Sequence, residues 1–176
     1  MAGITFYDAY FPILIQSMDS LESILVKAQT YAKENGIDAD AEYVPAKLYE
    51  DMKTLPFQVQ IASTMVKRCV TRLTGAGAEE WKDDETTLEQ LLARVRKTSE
   101  LVKSVRPEDV NGKEDDVIDV QVGYNTTKMP SKPYVTFMVM PNLFFHIQTA
   151  YSILRMKGVP LGKRDFLTAF MGSYMP

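Results

Sequence analysis

Apolar residues recur at helical spacing in four long stretches of this chain, and one shorter stretch alternates with period two. The first helical pattern runs from about Tyr7 to Asn35, with Phe11, Leu14, Ile15, Met18, Leu21, Leu25, Ala28 and Ala32 on one stripe. Gly36 stands where a C-cap is expected, and Pro12 falls in the first turns, where a missing amide proton costs little. Ile37 to Leu55 is mixed, punctuated by Pro45 and Pro56, with room for one short helix from Pro45 to about Met52. A second long helix is predicted from Pro56 to about Thr74, lined by Val59, Ala62, Val66, Cys69, Val70 and Leu73 and ended by Gly75-Ala76-Gly77.

The third helix has the clearest start. Thr86-Thr87-Leu88-Glu89 reads as a capping box in which Thr86 accepts from the Glu89 amide and Glu89 reaches back. Leu88, Leu91, Leu92, Val95 and Val102 form its inner face, Arg106-Pro107 closes it, and Arg94, Arg96, Lys97 and Lys103 are assigned to solvent. From Asp116 to Tyr124 polar and apolar residues alternate as in a strand. Met129 to Pro133 is expected as a loop, with Tyr134-Val135-Thr136-Phe137 pairing back to complete a hairpin. The fourth long helix begins at about Phe137 or Pro141 and runs to Lys157, stopped by Gly158-Val159-Pro160. The tail from Leu161 to Pro176 is expected to pack down as a short helix or ordered arm. These elements amount to a single domain over residues 1–176: an all-α four-helix bundle with a small hairpin before its last long helix.

Composition narrows the function classes. At 176 residues, with 45% hydrophobic and 24% charged positions, the chain has the make-up of an ordinary globular domain. A net charge of −3, with both signs interleaved, offers no basic face for a phosphate backbone, so no nucleic-acid partner is expected. No run approaches the ~18 apolar residues of a membrane span. The opening residues show neither a basic n-region nor an apolar h-region, and a cytoplasmic location is the expectation.

The only histidine is His146, in the apolar run Met140 to Tyr151. A bundle metal site needs several inward ligands, with histidine pairs typically at i and i+4. Asn142 and Ala150 occupy the positions four residues either side of His146, leaving Asp8 and Asp51 as the best carboxylates to join it. No metal and no cofactor are expected. Gly-x-Ser-x-Gly and glycine-rich phosphate loops are absent, and Cys69 on an inner stripe reads as a small core residue. Polar residues do fall at otherwise apolar helical positions: Gln58 and Gln60, Asn142, His146 and Gln148, and Tyr7 or Tyr10. Two readings stay open. These are satisfied core and surface groups, or they line a pocket centred on His146.

The stretch His146 to Val159 resembles the last helix of DinB/YfiT-like bundle proteins. Tyr7-Asp8, Asp51-Met52, Gln58-Val59-Gln60-Ile61-Ala62, Arg72-Leu73-Thr74-Gly75, Pro141 to His146 and Gly162 to Leu167 are similar to an uncharacterised fungal and bacterial branch of that superfamily, described by a domain of unknown function. The resemblance covers nearly the whole chain and implies an up-down DinB-like bundle. It also implies a metal held by three histidines, one on the second long helix and two on the fourth. His146 matches the later fourth-helix station, Asn142 stands at the earlier one, and Gln60, or else Gln58, stands at that of the second helix. Neutral amides are weak ligands for the borderline metals of such sites.

The expected function is therefore a metal-free small-molecule-binding bundle, with His146 as acid/base or hydrogen-bonding group and Gln60, Asn142, Gln58 and Tyr7 around the ligand. A non-catalytic scaffold or partner-binding bundle is the alternative, and a divergent metalloenzyme using His146 with carboxylates is another. Bundle faces also offer a homodimer contact.

Overall fold

The computed structural model describes residues 3–174. Helix α1 (Phe6–Glu34) starts at Thr5, whose hydroxyl accepts from the Asp8 amide at 3.1 Å. Pro12, the seventh residue of the helix, lies in its interior and removes one helical bond, on the exposed side near Asp8. The expected helix from Pro45 to Met52 is absent. A short α2 (Ala39–Glu42) forms earlier instead, capped by the Asp38 carboxylate. Helix α3 (Leu55–Thr74) carries Pro56 in its first turn and ends at Gly75, which adopts φ +81°.

Helix α4 (Leu88–Lys103) begins one residue later than expected. The capping box is Thr87 with Gln90, not Thr86 with Glu89. Gln90 Oε1 accepts from the backbone amides of both Thr86 and Thr87, and the Leu88 amide is taken by Asp40 Oδ1 at 2.7 Å. That long-range bond from the region of α2 selects between two local registers of similar chemistry. Helix α5 (Pro107–Val110) follows. Strands β1 (Val117–Val122) and β2 (Asn125–Pro130) form an antiparallel hairpin with Val122 opposite Asn125. Gly123, at φ +60°, makes the two-residue turn possible.

The second strand is therefore not Tyr134–Phe137. After α6 (Ser131–Pro133), residues Tyr134–Val139 form a π-helix that runs into α7 (Met140–Met156). Pro141 has no amide proton for the carbonyl four residues back and crowds it sterically. The wider turn, with the Met140 amide donating to Val135 five residues back, accommodates that defect. It also turns Val135, Val139, Leu143 and Ile147, each four residues apart, onto one buried stripe. Helix α8 (Lys163–Met171) is the packed-down tail, seated on α1 through Lys27–Asp165 at 2.7 Å and the Ser20 hydroxyl on the Phe166 carbonyl.

Cross-helix bonds give the chain direction. Arg96–Glu22 and Lys103–Asp19 make α4 antiparallel to α1. Arg72–Tyr134 and Gln58–His146 make α7 antiparallel to α3. Ser63–Thr98 in mid-helix and Gln60–Glu85 near the helix starts make α3 and α4 parallel. The path is thus up, down, down, up. Parallel neighbours require residues 75–87 to run back along the bundle. A helix of 20 residues is ~30 Å long, a span that an extended crossover at ~3.3 Å per residue can cover.

One side chain staples that crossover. Arg94 is 6% exposed, not solvated as its sequence context suggested. Its guanidinium donates to the Lys82 carbonyl (2.8 Å), pairs with Glu85 (2.8 Å) and Asp83 (2.8 Å), and reaches Ser63 and Thr64 of α3 (3.2 Å each). Ser63 hands on to Thr98, which donates to the Arg94 carbonyl and closes the circuit. Trp81 carries Lys67 and Lys97 over its ring, at 5.3 and 4.2 Å. Removing one partner of a buried ion pair strands the other groups. Arg94→Ala is expected to lower stability by on the order of 3 kcal/mol, and to expose residues 78–87 to limited proteolysis. Urea unfolding and cleavage mapping check both outcomes.

Candidate functional site

His146 sits on α7 beside the stripe Leu143, Ile147, Ala150 and Leu154, so its imidazole emerges half-buried at the seam with α3. Its Nδ1 lies 2.7 Å from Gln58 Oε1. Gln58 is 3% exposed, and its amide nitrogen donates to the Lys53 carbonyl at 3.2 Å. A carbonyl can only accept, so this bond fixes the amide orientation and presents oxygen to the histidine. Nδ1 must then carry the proton in the neutral ring, and Nε2 carries the lone pair. Nε2 has no hydrogen-bond partner among the described residues. Among the described residues the buried side-chain atoms without a partner are Ser17 Oγ and Tyr43 OH, so Nε2 meets solvent.

Two phenyl rings flank the imidazole: Phe57 at 6.0 Å between centroids and Phe145 at 5.2 Å, both steeply tilted. Phe145 is exposed, and Lys53 Nζ lies 6.0 Å from the Phe57 ring centre. Burial lowers the His146 pKa below its ordinary 6.5, because the charged form loses hydration. At neutral pH this is a bare acceptor nitrogen on an apolar ledge.

The other expected site residues go elsewhere. Gln60 is buried but donates to Glu85 at 2.9 Å, within the Arg94 network. Residues two apart on a helix point about 200° apart, so Gln58 and Gln60 cannot serve one site. Asn142 is exposed and donates to the Met138 carbonyl at 2.7 Å, one turn back on its own helix. The Tyr7 ring stacks on Phe11 and its amide donates to Asn111 at 2.9 Å. Tyr10 meets Thr136. Asp8 accepts from the Thr5 hydroxyl at the head of α1, and Asp51 is exposed in the turn before α3. Cys69 is buried, and burial pushes its thiol up to about 12, as an inert core group requires. Glu85, Lys53 and Phe57 were not among the expected site residues. Arg94 had one signal, since it shares the inner phase of Leu91 and Thr98.

The family described as Domain of unknown function (DUF1993) matches residues 6–167. The chain belongs to this family. The DUF1993 chain is also similar to the crystal structure of a DinB family member protein from Shewanella denitrificans, with 31% identity and a TM-score of 0.80 over 92% of this chain and 90% of that one. No curated protein matches. The DUF1993 chain is therefore a DinB-like bundle with a small hairpin, and its described residues include no helix long and apolar enough to cross a membrane.

A three-histidine metal does not fit this DUF1993 member. Of the three stations only His146 offers an imidazole, and its Nδ1 is taken by Gln58. Gln60 is held by Glu85 and Asn142 by its own helix. Among the described residues no three His, Cys, Asp or Glu side chains stand together to hold an ion. The geometry instead predicts a tautomer. Nitrogen NMR on the single imidazole should show Nδ1–H and bare Nε2, titrating below 6.5. Because the folded ring binds its proton less readily than the unfolded one, stability should fall as pH drops through 6.5 toward the folded pKa. His146→Gln should flatten that part of the wild-type pH profile, as read by urea midpoints.

Proposed function

We propose that this domain is a metal-free small-molecule-binding bundle whose working group is His146, with Nε2 as hydrogen-bond acceptor and general base toward a bound metabolite. One observation carries the reading: Gln58, itself anchored on the Lys53 carbonyl, takes Nδ1 and leaves a lone pair facing solvent. A lowered pKa keeps that nitrogen unprotonated at neutral pH, the state a base needs. In this reading Gln58 positions the ring, while Gln60 belongs to the staple and Asn142 and Tyr7 lie outside the immediate contact. The lone, buried Cys69 suits a cytoplasmic setting.

A second reading, a non-catalytic partner-binding bundle or homodimer, has its own support. Five of the surface depressions among the described residues, of 210 to 700 Å³, lie elsewhere, and His146 lines none of these five. Phe137 and Phe145 stand 74% and 59% exposed along the same helical face. An unbiased metabolite screen by thermal shift separates the two. The small-molecule reading expects at least one compound that stabilises the wild type and loses its effect on His146→Ala. Compounds that act equally on both proteins, or zinc, nickel or iron found stoichiometrically in the purified protein, would sink it.

A further inference from the structure

The hydrogen-bond polarity of this ledge restricts what it receives. With Nδ1–H committed to Gln58, the free nitrogen accepts and does not donate. A ligand therefore has to bring the proton. Carboxylates are ionised at neutral pH and ketones carry no donor, so both leave Nε2 unpaired. An ammonium donor needs a compensating anion. The charged group that stands over the flanking Phe57 ring is the Lys53 cation, of the wrong sign. Neutral donors remain, an O–H or an amide or ring N–H, and of these O–H groups make the shorter hydrogen bonds.

The flanking rings narrow the class again. Phe57 and Phe145 stand at 66° and 90° to the imidazole. They offer steeply set aromatic surfaces, which a flat ring meets in offset or edge-to-face contact. A phenolic O–H is also a stronger donor than an aliphatic one, because its acidity is higher. Resting on the reading of His146 as the working group, we propose that the ligand is a hydroxyaromatic compound that donates its phenolic O–H to His146 Nε2 while its ring lies against Phe57 and Phe145. Lys53 beyond Phe57 suits an acidic substituent on the far side of that ring.

A single histidine makes the test direct, since selective imidazole ¹⁵N labelling yields one pair of signals. The protein is titrated with phenol, toluene, cyclohexanol and benzylamine. The proposal expects phenol to move the Nε2 resonance and saturate, with toluene binding about tenfold more weakly for want of one hydrogen bond. His146→Phe keeps an aromatic wall and removes the acceptor, and should bring phenol down to the level of toluene. Gln58→Met frees Nδ1, moves the proton toward Nε2, and should weaken phenol while leaving toluene unchanged, a split that general loss of structure would not produce. Phenol binding no better than toluene, or leaving Nε2 unmoved, overturns the ligand class. If benzylamine or cyclohexanol moves Nε2 in its place, His146 survives as the working group and only the class fails. If Nε2 proves protonated in the free protein, both readings fail together.

Discussion

A buried guanidinium decides how this bundle is strung. Parallel α3 and α4 need a chain that returns the length of the bundle between them, and such a chain has little apolar surface of its own to bury. Residues 78–87 are mostly exposed and charged. Arg94 supplies what the hydrophobic effect does not: ion pairs to Asp83 and Glu85 and a bond to the Lys82 carbonyl, all from one planar fork. The low exposure of Arg94 makes these contacts costly to lose and directional, so they fix one path for the crossover. Burial by itself pushes the Glu85 carboxyl upward, yet its bonds from Arg94 and Gln60 outweigh that and hold it below the usual carboxylate range.

The same staple shapes the candidate site. It takes Gln60 away from the α3–α7 seam, and helical geometry then leaves Gln58 as the α3 amide that meets His146. At the stations where the resemblance implied a metal between facing ligands, this chain has split the positions between two polar networks on opposite sides of α3. One network holds a loop. The other holds a histidine in one tautomer. Both satisfy buried amides, and neither leaves a set of donors that converge on an ion. The π-turn before α7 acts on the site from the other direction, since it sets the phase of the helix so that Leu143 and Ile147 go inward and His146 comes to the rim.

Much of the fold was legible along the chain. Long amphipathic stripes declare their period over many turns, so α1, α3, α4 and α7 were all anticipated within a few residues, and the hairpin's first strand by its alternation. The misreadings fell where local chemistry permits two answers. Thr86-Thr87 allows two capping registers, and a bond from Asp40 selects one. Tyr134 to Phe137 is β-branched and aromatic enough for a strand. Burial of Tyr134 and Val135, and the Arg72 hydrogen bond to the tyrosine hydroxyl, draw it into a helix. Arg94 shares the inner phase of its helix, but charge argued for solvent until the partners from the crossover came into view.

By itself the sequence determined the class of fold, the absence of a second imidazole, and the helix on which the one histidine rides, because periodicity and composition are properties of the chain alone. Which glutamine meets His146, which of its nitrogens holds the proton, and which arginine goes inside were decided only by tertiary structure. Each of those turns on a side chain from a distant segment arriving at hydrogen-bonding distance, and no local pattern encodes that arrival.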